Sequence, residues 1–284
     1  MVDTSAFDQP EARGLRLIVG SLRVATAVQC FGAAGVQFLE AGGSAVAEML
    51  RAGGKPMPAD FVTIDRTVGG LLIACGLFSL TRPCWPVLLP VTLWFLADAV
   101  APLSAGTDWW LYLGPAAKAA SVLVPAALMV VDLYPPKAKF SLMRFLVGGS
   151  ACRAGAVVSF AGLGLSALYD ARFGGELLTT VKKAAWVVRG QTPSDETASY
   201  ALLVVGAVCF AGAMNLAAAR TRGVAAAMVG LGLLLAGSNV FLRGPAGALY
   251  FLKGVGPAGA ALVTFWYWTL SIREQEGQLR PKGG

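Results

Sequence analysis

The residues of this chain that could carry chemistry are ionisable groups inside long apolar segments. Five of them fall in the first half of the chain and are predicted to lie at a similar depth in a membrane: Glu40, Asp65, Arg66, Asp98 and Lys118. Charged groups at membrane depth pair with one another or mark ion, proton and solute pathways. We therefore predict a ligand or charge cluster here. Its counterparts in the second half are Asp170, Asn239 and Lys253.

A purely structural role is the alternative for these groups, because ion pairs fix helix rotation and long side chains reach toward lipid headgroups. Asp98 and Lys118 each lie about one turn from a short loop that joins their helices. Equal depth on adjacent helices predicts that the carboxylate and the ammonium meet, with Arg66 alongside. Arg23 and Arg153 lie within about two turns of a predicted membrane boundary, and we expect both to reach the headgroups.

Other kinds of site are excluded by composition. The chain has no histidine, which excludes histidine-ligated zinc, copper and haem, and nucleophiles activated by histidine. The five cysteines form no C-x-x-C pair, and we interpret them as buried small hydrophobic residues, with a redox role as the alternative. No metal site and no cofactor can be identified. An enzyme would have to rely on Asp98, Lys118 or a cysteine.

Long apolar segments position the candidate groups. The chain is 56% hydrophobic and 14% charged, whereas soluble proteins carry about 25% charged residues. About 20 apolar residues in a helix cross the hydrocarbon core, where the backbone must satisfy its own hydrogen bonds. We predict an all-α integral membrane protein with eight transmembrane helices, over residues 17–39, 62–81, 86–104, 113–134, 145–168, 199–219, 223–242 and 248–270.

An internal duplication organises these helices. The segment LRLIVGSLRVATAVQCFGAAGVQFLEAGG, residues 15–43, recurs as residues 143–175. One register aligns four pairs: Arg23 with Arg153, Val28 with Val158, Gly32 with Gly162 and Glu40 with Asp170. A register shifted by about half a turn is the alternative. Four helices per copy is an even number, so the two four-helix repeats, 1–139 and 140–284, are predicted to be parallel.

The net charge of +7 is interpreted through membrane orientation rather than nucleic-acid binding. Lys and Arg outside the predicted helices are more numerous on the side that holds both termini, which predicts that both termini are cytoplasmic. Residues 40–60 and 171–198 then face outward. The second of these segments is amphipathic, and it is predicted to lie in the outer interface or to cap the bundle.

Arg16, Leu17 and Gly20 early in helix one, and the passage LWFLADAVAPLSAGTDWWLYLGPAAKAASVLVPAALMVV (93–131), resemble the DoxX family of small membrane proteins. The resemblance implies two fused four-helix DoxX-like units in a bacterial inner membrane. Some members of that family are linked to quinone- or thiol-connected oxidoreductases, usually beside soluble partners. The first-helix ends GVQFLE and GLGLSALYD depart from the family's G-x-x-K-like ending, so the ligand role tied to that lysine does not carry over.

Two functional hypotheses follow. The first is an accessory or anchoring subunit of a membrane complex, with a protein partner and a possible quinone link through Trp94, Trp109 and Trp110. An interfacial aromatic belt is the alternative interpretation of these tryptophans. The second hypothesis is a transporter or channel for a small solute, which the repeat and the intramembrane charges favour. Against it, no predicted helix is plainly broken at mid-membrane.

Overall fold

The structure is a computed structural model that describes residues 10–40, 44, 47, 49, 60–106, 109–132, 142–218 and 221–279. Every regular element in this part of the chain is a helix. The helices are α1 (Pro10–Leu39), α2 (Phe61–Thr81), α3 (Trp85–Val100), α4 (Leu113–Ala117), α5 (Ala119–Val131), α6 (Leu142–Phe173), α7 (Glu176–Arg189), α8 (Asp195–Ala218), α9 (Arg222–Arg243), α10 (Gly247–Lys253) and α11 (Gly256–Leu279). Short 3₁₀ turns cover Ala101–Ala105, Trp109–Tyr112 and Gly244–Ala246.

Seven segments of the described residues are long and apolar enough to cross a membrane: Arg16–Leu39, Phe61–Thr81, Trp85–Ser104, Trp110–Val131, Arg144–Phe173, Asp195–Ala218 and Arg222–Lys253. Their outer faces carry large apolar side chains, such as Leu71, Val204 and Leu234, which are 60%, 64% and 74% exposed. Exposed apolar surface of this extent on long apolar helices is typical of a membrane protein. The prediction of an all-α protein with several membrane helices is therefore confirmed.

Four helices form the centre of the bundle. α5 and α11 pack against each other and against both α1 and α6, while α2 and α3 lie outside α1 and α5, and α8 and α9 lie outside α6 and α11. Leu22, Leu128, Phe160 and Trp268 are fully buried where the central helices meet. α1 packs along α10 and α11, and α6 packs along α4 and α5, so each of these long helices contacts the far half of the chain.

Two predicted membrane helices are interrupted, whereas the apolar pattern predicts each of them as one continuous segment. The predicted helix 113–134 divides at Lys118 into α4 and α5, and the predicted helix 248–270 divides at Gly254–Val255 into α10 and α11. A left-handed glycine, Gly244, turns α10 back against α9, where Gly247 packs on the Asn239 backbone. The two interruptions place backbone turns and lysines inside the bundle.

Glycines on α1 and α6 allow the interrupted helices to approach closely. A Cβ on Gly32 would lie 2.6 Å from the carbonyl carbon of Leu252, beside the interruption of α10 and α11. A Cβ on Gly162 would lie 2.8 Å from the carbonyl carbon of Ala116, beside the interruption of α4 and α5. Any side chain at either position would collide with the backbone of the facing helix. Glycine at both positions therefore allows α1 and α6 to contact the interrupted helices directly.

Candidate functional site

The centre of the candidate site is the carboxylate of Asp98, in the last turn of α3. The side chain is 12% exposed, and the Nζ atom of Lys253 lies 2.7 Å from its Oδ1. The Nζ atom of Lys118 lies 3.1 Å from Oδ2 and also donates a hydrogen bond to the Asp98 backbone oxygen at 2.9 Å. We call these three residues the Asp98 cluster.

The helix interruptions place both lysines in the Asp98 cluster. Lys118 is the residue between α4 and α5, and Lys253 is the last residue of α10, just before α11. Each lysine therefore lies where one helix ends and the next begins, next to backbone groups that helix ends leave free. Two lysines face one carboxylate, and the cluster therefore has one positive charge in excess.

The structure brings Asp98 and Lys118 together, as their equal predicted depth requires. The expectation that Arg66 lies alongside is wrong, because Arg66 is exposed on α2 and the second cation at Asp98 is Lys253. Asp65, its neighbour on α2, is buried at 2% exposure. The predicted outer-half set is thus divided among α2, the Asp98 cluster and the end of α1, where Glu40 lies.

Glu40 belongs to a second group of charges that adjoins the Asp98 cluster. Its carboxylate is 2.9 Å from Nη1 of Arg243 and accepts a hydrogen bond from the Tyr250 hydroxyl. The Arg243 guanidinium lies 3.9 Å from the centroid of the Tyr250 ring. These contacts join the end of α1 to α9 and α10, so they fix the segment that presents Lys253.

A small cavity of about 10 Å³ separates the two groups, with Glu40, Asp98, Lys253 and Gln37 among its lining residues. This volume is close to the minimum that holds one water molecule. The Gln37 side-chain oxygen is buried and has no hydrogen-bond partner among the described residues. Because an unsatisfied buried acceptor is unfavourable, a water or another donor is expected in this cavity.

The other predicted second-half counterparts do not join the Asp98 cluster. Oδ2 of Asp170 accepts a hydrogen bond from the Leu177 backbone nitrogen at 2.9 Å, which satisfies a free donor in the first turn of α7. The Asn239 amide donates to the Ala236 carbonyl of its own helix at 3.0 Å. The residue of the second half that contacts Asp98 is Lys253, whereas the predicted counterpart Asn239 is bonded within its own helix.

Arg23 and Arg153 bind the ends of neighbouring helices, and the expectation that they reach the headgroups stays a prediction. Arg23 Nε lies 2.7 Å from Asp132 Oδ2, and Arg23 Nη1 donates to the Leu80 carbonyl at the end of α2. Arg153 donates to the Leu216 and Ala217 carbonyls at the end of α8, and its guanidinium lies over the Trp268 ring. Both arginines therefore satisfy carbonyls that a helix end leaves free.

Two of the three tryptophans considered for quinone binding, Trp94 and Trp110, have described side chains. Trp94 lines the small cavity, and Trp110 stacks on Tyr169 of α6 with ring centroids 5.7 Å apart. The side chain of Trp109 lies outside the described residues. The stacked position of Trp110 ties the loop before α4 to α6.

Comparison of the chain with family models, with curated proteins and with solved structures finds no match.

Proposed function

We propose that this protein binds a small anion at the Asp98 cluster and transports it across a membrane. The observation that supports this proposal is the position of two lysines at the interruptions of two membrane helices, against one buried carboxylate. Interrupted helices provide ligand groups at membrane depth because their ends leave backbone donors and acceptors free. An excess ammonium in this setting favours an anionic ligand.

Lys118 is the residue that would contact the anion. Its side chain is 41% exposed, compared with 23% for Lys253, and it is the more distant of the two from the carboxylate. An ammonium has three N–H donors, and Lys118 directs donors to Asp98 through the backbone oxygen and Oδ2. The more buried Lys253 would neutralise Asp98, while Lys118 offers its positive charge to the ligand.

The architecture that we propose around this site is a parallel pair of four-helix repeats with an eighth membrane helix formed by α10 and α11. Three corresponding sets of contacts support it: Gly32 and Gly162 at the interruptions, Arg23 and Arg153 at the ends of α2 and α8, and the cross-half packing of α1 and α6. We further propose a bacterial inner-membrane location with both termini cytoplasmic, which puts the Asp98 cluster in the outer half of the bilayer.

Replacement of Lys118 with methionine is expected to weaken anion binding by about tenfold or more, because a hydrogen bond to a charged group contributes roughly 1.5–3 kcal/mol. The protein should remain folded, since Lys253 still neutralises Asp98. The measurement is uptake of chloride, acetate or inorganic phosphate by proteoliposomes, together with calorimetric titration of the purified protein with each anion.

Lys182→Met is the matched control, because Lys182 pairs with Asp195 at the surface of α7 and α8. This control should leave binding and uptake unchanged, and Lys118→Arg should retain binding through its positive charge. Equal binding and uptake in Lys118→Met and the unaltered protein would contradict the proposal and assign the cluster a purely structural role.

The second candidate function is an accessory or anchoring subunit, in which α7 docks a partner protein. Trp186, Val187 and Val188 are 59%, 50% and 70% exposed near the end of this helix, which closes with the left-handed Gly190. Exposed apolar residues on an amphipathic helix favour either a protein partner or the membrane interface. The quinone link would belong to the partner complex in this case.

Val188→Asp is expected to abolish stoichiometric co-purification of a partner from native membranes if α7 is the docking helix. Lys183→Asp, an exposed position on the same helix, is the matched control and should retain the partner. Purification of the unaltered protein without a partner would contradict this second function and leave the anion proposal unaffected.

A further inference from the structure

A stripe of polar side chains runs along one face of α1, from the small cavity beside Asp98 toward the N-terminal half of the helix. Its members recur every three or four residues, which places them on a single face because an α-helix has about 3.6 residues per turn. They are Thr26, Gln29, Gln37 and Glu40, with the small Ala33 between the two glutamines. Ala33, Gln37 and Glu40 line the small cavity. We call these five residues the α1 stripe.

The part of the α1 stripe below the cavity is buried and has unsatisfied polar atoms. Thr26 and Gln29 are fully buried. Among the described residues, no hydrogen-bond partner is found for the Thr26 hydroxyl or for either polar atom of the Gln29 amide. Such atoms are unfavourable in a bundle interior. Because Gln29 requires both a donor and an acceptor, the missing partner must offer both, as water does.

The apolar packing is also divided at Thr26 and Gln29. Two separate clusters of buried apolar side chains pack along this helix. Their members on α1 are Ile18, Leu22 and Ala25 in the first cluster, and Cys30, Ala33 and Ala34 in the second. Thr26 and Gln29 fall between the two clusters. Polar groups therefore replace apolar contacts at the level just below the cavity.

We propose that the α1 stripe is the hydrated route by which the anion moves from the Asp98 cluster toward the N-terminal end of α1. This inference rests on the proposed function of that cluster. The Gln29 amide and the Thr26 hydroxyl offer N–H and O–H donors to an anion, while water satisfies the amide oxygens. Arg23 lies one turn beyond Thr26 and its side chain is 29% exposed, so the route reaches the edge of the bundle there.

Replacement of Gln29 with leucine tests the route separately from the binding site. Leucine has a similar size but no polar atoms, so uptake of chloride, acetate and inorganic phosphate by proteoliposomes should fall by about tenfold, the factor that corresponds to one lost hydrogen bond. Calorimetric binding of the same anions should be unchanged, because the Asp98 cluster is intact. Lys118→Met, in contrast, should lower both binding and uptake.

Thr264→Val is the matched control for a buried polar group. Thr264 is also buried in the bundle, but its hydroxyl donates to the Ala260 carbonyl of its own helix at 2.9 Å. This control should leave uptake unchanged. Equal uptake in Gln29→Leu and Thr264→Val would overturn the route and leave the proposed function intact. Absence of both binding and uptake in the unaltered protein would contradict the proposed function, and the route with it.

Alkylation of a thiol at position 26 detects the route without a measurement of uptake. Thr26→Cys in proteoliposomes is treated with iodoacetate, an anion, and the products are located by peptide mapping. Because the thiolate is the reactive form, a hydrated position should react several-fold faster than Cys30, which is buried in an apolar cluster one turn away. Excess acetate should slow the reaction. Equal rates at the two positions would overturn the route, and reaction with neutral iodoacetamide but not with iodoacetate would overturn its use by anions.

Discussion

Replacement of Asp98 with asparagine is expected to lower the free energy of unfolding by about 3–5 kcal/mol. Asparagine has nearly the same shape, so the change removes the negative charge and leaves two ammonium groups close together in the bundle. Each loses its counter-charge and repels the other at membrane depth. Reversible unfolding of the purified protein in mixed micelles, followed by circular dichroism, measures the change.

The two lysines should contribute unequally to the stabilising interaction with the Asp98 carboxylate. Lys253 is the more buried and has the shorter distance to the carboxylate, 2.7 Å compared with 3.1 Å for Lys118. We therefore expect Lys253→Met to destabilise the protein more than Lys118→Met does. Combining Asp98→Asn with Lys253→Met should recover part of the lost stability, and the double-mutant cycle should give a larger interaction energy for Lys253.

Asp195→Asn is the control for a surface ion pair, because Asp195 is 82% exposed and pairs with Lys182. Its effect should lie within about 0–1 kcal/mol. If Asp98→Asn changes stability no more than this control, the Asp98 cluster is solvated and does not hold the helices together.

Apolar length and charge depth were sufficient to predict the helical membrane class and the meeting of Asp98 with Lys118. Both inferences depend only on nearby residues. About 20 consecutive apolar residues indicate a membrane helix by themselves, and a short loop makes consecutive helices neighbours. The pairing of Asp98 with Lys253 is not local. It depends on the packing of α1 against α10, which brings the second half of the chain to α3.

The two helix interruptions were not predicted from the sequence, because they also depend on packing between distant segments. The apolar pattern continues on both sides of Lys118 and of Gly254–Val255, so each segment has the length of one continuous membrane helix. Pro257, beside the second interruption, predicts a bend of that helix rather than a division. The residues that permit the interruptions are on the facing helices, where Gly32 and Gly162 allow the backbone of the interrupted helices to approach to contact distance. The duplication also aligns Arg23 with Arg153, which indicates a shared role. Their carbonyl partners lie on α2 and α8 and can be identified only in the packed bundle.

Replacement of Gly32 with alanine is expected to destabilise the protein by about 1–3 kcal/mol, with a larger loss for Gly32→Leu. The added methyl group would press on the backbone of Leu252, which cannot rotate away as a side chain can. α1 and α10 must then separate, and Lys253 moves with α10 away from Asp98. Unfolding in mixed micelles measures the loss, and the Lys253 coupling in the Asp98 cycle should fall with it.

The matched control should show the opposite sign. Gly230 lies on the exposed side of α9, where an added Cβ meets no atom within 4 Å. Gly230→Ala is expected to stabilise the protein by up to about 1 kcal/mol, because alanine restricts the unfolded chain and favours the helix. Gly162→Ala should destabilise as Gly32→Ala does if the two halves are equivalent. If Gly32→Ala stabilises the protein, α1 does not pack closely against the interruption between α10 and α11.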